Sequence, residues 1–268
     1  MHPRLSVDQL CFPGAPIDEF VDHCRALGVH DVVLTSPQLL VDGGAEAVIT
    51  ALRDGPRVEA VNHPFAIHPD LESDEGGAGE NLARVIDVAA ELGARSVYVV
   101  TGGRGGLDWP SAAARFGALI APWVERADRH GLALMVENSN GLYADIHIAH
   151  TLADTAALAE ASGMGVCVEL QFCWVESDVD EVIRRALPGV GLVQVSDYVL
   201  GDRSLPGRAV PGDGAIPLER LVGDLLELGY EGLFDIELLG PRIDAEGHRA
   251  AVARAAERMD AILTSLGA

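Results

Sequence analysis

The feature of this sequence that most restricts its fold is a short apolar run ending in an acid, Leu132 to Asn138 (LALMVEN). Glu137 stands near the end of this run, and three later runs have the same build. These are Gly165 to Gln171 with Glu169, Gly191 to Asp197 with Gln194, and Gly232 to Leu239 with Glu237. Such apolar runs are typical of parallel strands buried on both faces. The acids and the amide are therefore expected where neighbouring strand ends meet a cavity.

The rest of the chain repeats the order of a strand followed by a helix. Predicted strands begin 26 to 42 residues apart, which is the span of a β-α-β unit. They are Arg4 to Leu10, His30 to Thr35, Arg57 to Asn62, Ser96 to Thr101, Leu132 to Glu137, Gly165 to Gln171, Gly191 to Asp197 and Leu233 to Leu238. Eight alternating units indicate a (β/α)8 TIM barrel, an α/β fold whose strand ends form the active site. An open doubly wound sheet is the alternative, because periodicity alone does not show closure.

Length and composition are consistent with one domain over residues 1–268. A chain of 268 residues is long enough for a single barrel. No run reaches about 18 apolar residues, and the N-terminus has no apolar signal core, so neither membrane insertion nor secretion is expected. The four cysteines, Cys11, Cys24, Cys167 and Cys173, have no CxxC spacing. We therefore expect reduced thiols in a cytoplasmic protein.

The charge of the chain limits its partners. With 19 basic and 41 acidic residues, the formal net charge is −22. Such a surface repels phosphate backbones and anionic lipid, so nucleic acid and membrane partners are not expected. A small-molecule substrate is expected instead.

The strand-end residues themselves predict a metal site. Glu137, Glu169 and Glu237 would repel one another at a barrel mouth unless a cation joins them. With the amide oxygen of Gln194 the set is all oxygen, which suits Mn²⁺ or Mg²⁺. Taken singly, each acid is also explained as an ordinary polar strand end. Their occurrence at four corresponding ends favours one common site.

The predicted chemistry is proton transfer next to a carbonyl. A hard cation polarises a carbonyl or hydroxyl, and a carboxylate then moves the proton. This favours an isomerase or epimerase. Two alternatives stay open, namely a dehydratase or lyase that uses the same site and a non-catalytic barrel with a degraded site.

Several segments together resemble the xylose-isomerase-like TIM barrels, the sugar phosphate isomerase/epimerase superfamily. The resemblance covers nearly the whole chain. The segments are Glu80 to Gly103, Leu132 to Asn138, Val193 to Tyr198, Arg208 to Val222 and Gly229 to Gly240. The resemblance implies a metal-dependent enzyme of carbohydrate metabolism, and by analogy a homo-oligomer.

The resemblance also implies roles for individual residues. In the ketose epimerases of this family, glutamates ending strands five and eight bind the metal and exchange the substrate proton, which maps onto Glu137 and Glu237. The family's other ligands are an aspartate and a histidine, and their places hold Glu169 and Gln194 here. The arginine before the Pro-Gly turn corresponds to Arg208, which would hold a substrate hydroxyl or carboxylate.

Five further residues are predicted to contact or orient the substrate. Asp197 would orient Arg208 or lie behind the residues that contact substrate, and His63 follows the third predicted strand. A family histidine that contacts substrate falls on Phe172, which with Trp174 would make the pocket more apolar than a simple sugar requires. Arg104 lies in the flexible Gly-rich segment 102–106. The expected substrate is a sugar-like or cyclic polyhydroxy ketone.

Overall fold

The computed structural model describes residues 1–268, and its centre is a closed barrel of eight parallel strands in sequence order. The strands are β1 (Leu5–Asp8), β2 (Asp31–Thr35), β3 (Arg57–Ala66), β4 (Ser96–Gly102), β5 (Ala133–Glu137), β6 (Gly165–Glu169), β7 (Val190–Val195) and β8 (Leu233–Ile236). β1 closes the sheet by pairing with β8, with Leu5 beside Phe234 and Val7 beside Ile236. The prediction of a single-domain TIM barrel is confirmed, and the open-sheet alternative was wrong.

Helices connect the strands and cover the outside of the barrel. They are α1 (Ile17–Leu27), α2 (Pro37–Leu40), α3 (Gly44–Leu52), α4 (Gly77–Glu91), α5 (Trp109–Arg129), α6 (Leu152–Ser162), α7 (Leu170–Cys173), α8 (Val179–Ala186), α9 (Leu218–Glu227), α10 (Pro241–Glu246) and α11 (His248–Leu266). Single turns of 3-10 helix occur at Gln9–Cys11, Gly141–Tyr143 and Leu187–Gly189. None of the helices has the length and apolar character needed to span a bilayer.

Side-chain alternation along the strands separates two apolar cores. On β5, Leu134 and Val136 belong to the large core between the sheet and the helices. Met135, between them, belongs to a smaller cluster with residues such as Tyr98 and Leu192, which places that cluster inside the barrel because successive strand residues face opposite sides. The same alternation turns Glu137 inward. All four cysteines are buried and unpaired, as the sequence predicts.

Two strand ends differ from the predictions in ways that affect the site. β3 continues to Ala66, four residues beyond the predicted end. β6 stops at Glu169, and the predicted continuation to Gln171 is instead the start of the short helix α7. The Glu169 carboxylate caps this helix by accepting a hydrogen bond from the backbone N–H of Gln171 at 2.8 Å. Glu169 is therefore both the last strand residue and a helix cap.

Candidate active site

Three glutamates converge at the carboxyl end of the barrel. Glu137 ends β5, Glu169 ends β6, and Glu237 follows β8 directly. One carboxylate oxygen from each lies within 4.8 Å of the others. The three residues are only 6%, 0% and 4% exposed. The structure thus brings together the three acids that the sequence singled out.

Arg208 supplies a positive charge to this cluster. It donates from one terminal nitrogen to Glu169 Oε2, and from the other to Glu237 Oε1 at 2.7 Å. The first nitrogen also lies 3.1 Å from Ser196 Oγ. The sequence predicted that this arginine would hold substrate, whereas the structure shows it paired with two of the three glutamates. The carboxylate of Glu137 accepts no hydrogen bond, whereas its backbone carbonyl accepts one from His147 Nε2 at 2.7 Å.

The cluster carries more acid than one arginine can neutralise, and this shifts its proton affinities. Burial raises the pKa of Glu137 well above its usual range, and the neighbouring Glu237 and Glu169 add to the shift. Burial also raises the pKa of Glu237 to about 8, although Arg208 opposes this. For Arg208, burial disfavours the charge, but Glu169 and Glu237 outweigh it and raise its pKa. A further cation would relieve this excess of acid.

Gln194 lies beside the cluster on β7 and is fully buried. Its amide nitrogen donates to Glu237 Oε2 and lies 3.2 Å from the Tyr98 hydroxyl. Its amide oxygen accepts from the Cys167 thiol at 3.3 Å. The side chain that the sequence offered as an oxygen ligand therefore presents its nitrogen to the glutamates.

Sequence reasoning missed two buried acids below the cluster, Asp8 on β1 and Asp235 on β8. Asp8 accepts from the Tyr98 hydroxyl at 2.9 Å, and burial raises its pKa to about 7. Asp235 accepts from Ser6 Oγ at 2.6 Å, and its second oxygen has no partner. Burial raises its pKa well above the usual range. The period-two alternation was a usable signal, since Asp235 stands two residues before Glu237 on the same strand face.

A cavity of about 290 Å³ opens above the glutamates. Its polar lining includes Glu137, Glu237 and Arg208. Its apolar lining comes from the carboxyl-terminal parts of β3 and β4 and from the segments that follow several strands: Leu10, Pro37, Pro64, Ile67, Val100, Ile146, Phe172, Pro206 and Leu239. The guanidinium carbon of Arg208 lies 5.3 Å from the centre of the Phe172 ring. The predicted position of Phe172 in an apolar wall agrees with this lining.

Asp197 does not contact the Arg208 side chain. Its carboxylate accepts hydrogen bonds of 2.8 to 3.0 Å from the backbone N–H groups of Tyr198, Gly212, Gly214 and Ile216. Its backbone pairs with Ala209, directly after Arg208. A Cβ at Gly214 would lie 2.3 Å from Asp197 Oδ1, so this close approach requires glycine. Asp197 therefore shapes the loop that carries the arginine, in agreement with the alternative in which it lies behind the substrate contacts, and a contact with substrate stays a prediction.

Three other predicted residues lie outside the cavity lining. His63 faces the helices because its neighbours Asn62 and Pro64 face the cavity. Its Nδ1 lies 2.8 Å from Ser36 Oγ, and burial lowers its pKa to about 4. Arg104 is exposed on a turn, and Trp174 packs at the edge of the outer core. The structure does not bring these three side chains to the glutamates.

Comparison with known proteins identifies the family. A sequence model of the xylose isomerase-like TIM barrels matches residues 9–262. The chain belongs to this family. It is 31% identical over 176 residues to a putative hydroxypyruvate isomerase of Streptomyces coelicolor, a match that spans 60% of each protein.

Solved structures agree with the fold of this family. Protein SMc04130 of Sinorhizobium meliloti 1021 has a TM-score of 0.84 at 22% identity, covering 97% of this chain and 98% of its own. The zinc-bound IOLI protein has a TM-score of 0.81 at 15% identity, covering 98% and 99%. At these identities the likeness concerns the fold alone.

The donor set of this family member fits a divalent cation through its carboxylates. Two oxygens bound to one ion at about 2.1 Å are at most about 4.2 Å apart. The three glutamate oxygens lie within 4.8 Å of one another, so a closure of at most about 0.6 Å would bring them to that spacing. The unpaired carboxylate of Glu137 is available without breaking a contact. Glu169 and Glu237 would each have to share or release Arg208. Carboxylate oxygens suit a hard ion such as Mg²⁺ or Mn²⁺.

Proposed function

We propose that this protein is a divalent-metal-dependent isomerase or epimerase that moves a proton next to a carbonyl in a sugar-like or cyclic polyhydroxy ketone. The observation that carries the proposal is the convergence of three glutamates on a cavity that one arginine cannot neutralise. A relative that is 31% identical over 176 residues is named a putative hydroxypyruvate isomerase, which supports the same reaction class. Mn²⁺ or Mg²⁺ is the proposed ion, held by Glu137, Glu169 and Glu237.

The two glutamates that line the cavity would exchange the substrate proton. Glu137 reaches the cavity with a carboxylate that no side chain holds, so with a bound cation keeping it ionised it suits the base that removes the proton. Glu237 lines the same cavity and is held in place by Arg208 and Gln194. It therefore suits the acid that returns the proton. When bound, the ion would polarise the carbonyl and increase the acidity of the adjacent C–H.

The cavity lining indicates the shape of the substrate. Its floor carries Glu137, Glu237 and Arg208, while Phe172, Leu10 and other apolar side chains form its walls. Arg208 can turn one donor toward a substrate hydroxyl or carboxylate, and the ring of Phe172 covers its guanidinium face. We propose a substrate with a polyhydroxy ketone end and an apolar or cyclic remainder, such as a keto-glycoside. A volume of about 290 Å³ admits one such ring.

Deuterium incorporation tests the reaction without knowledge of the product. The protein with Mn²⁺ is incubated in D₂O with hydroxypyruvate, D-psicose, L-ribulose and a 3-keto-glucoside. These compounds appear in the names of similar proteins. Mass spectrometry and NMR then follow deuterium at the carbon beside the carbonyl. Glu137→Gln should abolish incorporation, and the exposed Glu19→Gln should leave it unchanged.

The product mass separates the rival functions. Isomerisation and epimerisation conserve mass apart from deuterium, whereas a dehydratase product is lighter by one water. If wild-type protein incorporates no deuterium and binds no Mn²⁺, the proposal is wrong and a barrel without catalysis is favoured.

A further inference from the structure

Every polar atom of the Gln194 amide has a suitable hydrogen-bond partner: its nitrogen faces two acceptors, and its oxygen faces a donor. Its nitrogen, with two protons, contacts Glu237 Oε2 and the Tyr98 hydroxyl oxygen. Its oxygen accepts from the Cys167 thiol. No amide donor is unused, and the oxygen already has a donor. The side chain is 0% exposed, so water cannot exchange with these contacts.

The hydroxyl of Tyr98 sets the direction of the amide. This hydroxyl donates its only proton to Asp8 Oδ2 at 2.9 Å. Its oxygen then accepts from the Asn62 amide at 3.0 Å and from Gln194 at 3.2 Å. With Asp8 ionised, the tyrosine proton is used in this bond, and the group that faces the tyrosine oxygen must be a donor. Gln194 therefore turns its NH₂ toward Tyr98.

Reversing the amide would create opposed acceptors. With Glu237 ionised, as metal binding through it requires, the Gln194 oxygen would face a carboxylate oxygen of Glu237 and the hydroxyl oxygen of Tyr98, and its NH₂ would lose both acceptors. Buried polar groups left without partners are costly, and facing acceptors repel as well. An ion ligated by this amide oxygen would have to offset these losses. The three glutamates offer charged oxygens without such a rearrangement of the amide.

We propose that Gln194 is a positioning residue that donates to Glu237, held in that orientation by Tyr98 and Asp8, and that it is not a metal ligand. The proposal replaces the four-ligand set expected from the sequence with three carboxylates. It also assigns Tyr98 and Asp8, from β4 and β1, to the support of the proton-transfer site. This assignment rests on the proposed role of Glu237, but Gln194 can be tested independently of turnover.

NMR of the glutamine side chains detects the NH₂ group of Gln194 directly. The chain has four glutamines, Gln9, Gln38, Gln171 and Gln194, so [¹⁵N]glutamine labelling gives four NH₂ groups. Gln194→Met identifies the signal of Gln194. We expect its protons to exchange slowly with D₂O and to shift in Tyr98→Phe. Tyr143→Phe, which removes another cavity hydroxyl, should leave the signal in place. Rapid exchange in the wild-type protein would overturn the proposal, whether or not Tyr98→Phe folds.

Mn²⁺ titration followed by electron paramagnetic resonance tests the ligand set. Gln194→Met should weaken Mn²⁺ binding by about tenfold, as expected when a hydrogen-bond partner of a ligand is lost, while Glu137→Gln should weaken it by about 100-fold or more. Equal losses in the two variants would show that Gln194 is a ligand and would refute the proposal. If the wild-type protein binds no Mn²⁺, the metal-dependent function fails, and the NMR measurement still decides the orientation of Gln194.

Discussion

The acidic residues at the two ends of the barrel are paired with arginines in opposite ways. At the amino end, each acid has its own arginine. Arg57 donates to both oxygens of Asp31 at 2.8 and 2.7 Å, and Arg95 lies 3.5 Å from Glu59. These two arginine side chains are 69% and 68% exposed. At the carboxyl end, three glutamates share Arg208, which is 3% exposed.

This difference distinguishes the ion pairs at the amino end, which stabilise the fold, from the glutamate cluster at the carboxyl end, which is suited to binding. An exposed arginine loses little hydration when it pairs. The ion pairs at the amino end therefore have a small desolvation penalty and contribute only modestly to stability. A buried cluster with excess acid costs hydration that its single arginine does not restore. Such an arrangement is typical of a site that awaits a ligand or a cation. Substitutions at the two ends should therefore have unequal effects.

The largest expected effect is on stability when Arg208 is lost. Arg208→Met in metal-free buffer should lower the free energy of unfolding by about 3 kcal/mol, because it leaves buried acids unpaired. Arg57→Met at the amino end should cost about 1 kcal/mol. Urea denaturation at pH 7 measures both. Equal losses would show that the two ends do not differ in the way described.

Loss of Arg208 should increase the affinity for metal, although it lowers the stability of the protein. Arg208 occupies oxygens of Glu169 and Glu237, so Arg208→Met should tighten Mn²⁺ binding by about tenfold or more, which is about 1.4 kcal/mol. Arg57→Met serves as the matched control and should leave the Mn²⁺ Kd unchanged. Saturating Mn²⁺ should also restore much of the stability of Arg208→Met. Weaker binding in Arg208→Met would mean that the guanidinium does not compete with the ion.

The stability of the metal-free protein should fall between pH 6.5 and 8.5. The pKa is about 8 for Glu237 and about 7 for Asp8, both above their ordinary values. The folded state then holds protons that the unfolded state has lost, so raising the pH favours unfolding. We expect Tm to fall by roughly 5 °C over this range. Glu237→Gln should reduce the slope, and a rise of Tm with pH would contradict the prediction.

Below pH 6.5 two buried histidines oppose this trend. Burial lowers the pKa of both His63 and His147 to about 4, so the unfolded chain binds protons there that the folded protein excludes. The buried acids Glu137, Glu237, Asp8 and Asp235 still hold their protons in the folded state in this range and outnumber the two histidines. Thermal melts across pH 5 to 8.5 should therefore show no rise of Tm with pH, and a maximum inside this range would contradict the prediction.

The smallest expected effect is that of salt. About 1 M NaCl screens exposed charges over roughly 3 Å, so it should reduce the cost of Arg57→Met to under about 0.3 kcal/mol. The cost of Arg208→Met should hardly change, because buried pairs are screened much less. Repeating the urea titrations at both salt concentrations measures the contrast.

The fold and the glutamate cluster could be predicted because local sequence carries both. Eight apolar runs at β-α-β spacing define the barrel, and Glu137, Glu169 and Glu237 stand at their ends. The orientation of Gln194 could not be predicted, because it depends on Tyr98 and Asp8, which lie 96 and 186 residues away along the chain. Only the closed barrel brings these three side chains together.

The mistaken placements have two physical causes. His63 was expected at the site because the predicted third strand ended at Asn62, whereas β3 continues to Ala66 and its alternation turns His63 outward. Asp197 was expected to orient Arg208 or to lie behind the residues that contact substrate, and its side chain does not contact Arg208. Its carboxylate is occupied by backbone N–H groups of a loop up to 19 residues later, a contact that spacing does not indicate.

The pairing of Asp197 with Ala209 has a consequence for how this barrel can diverge. The two residues exchange backbone hydrogen bonds of 2.8 Å, which fasten both ends of the excursion over residues 198–208. Insertions or deletions near its exposed tip, around Leu200, can remodel the entrance while Arg208 keeps its anchorage. Descendants of this protein can thus acquire new substrates by changing the excursion, with the acidic chemistry inherited intact.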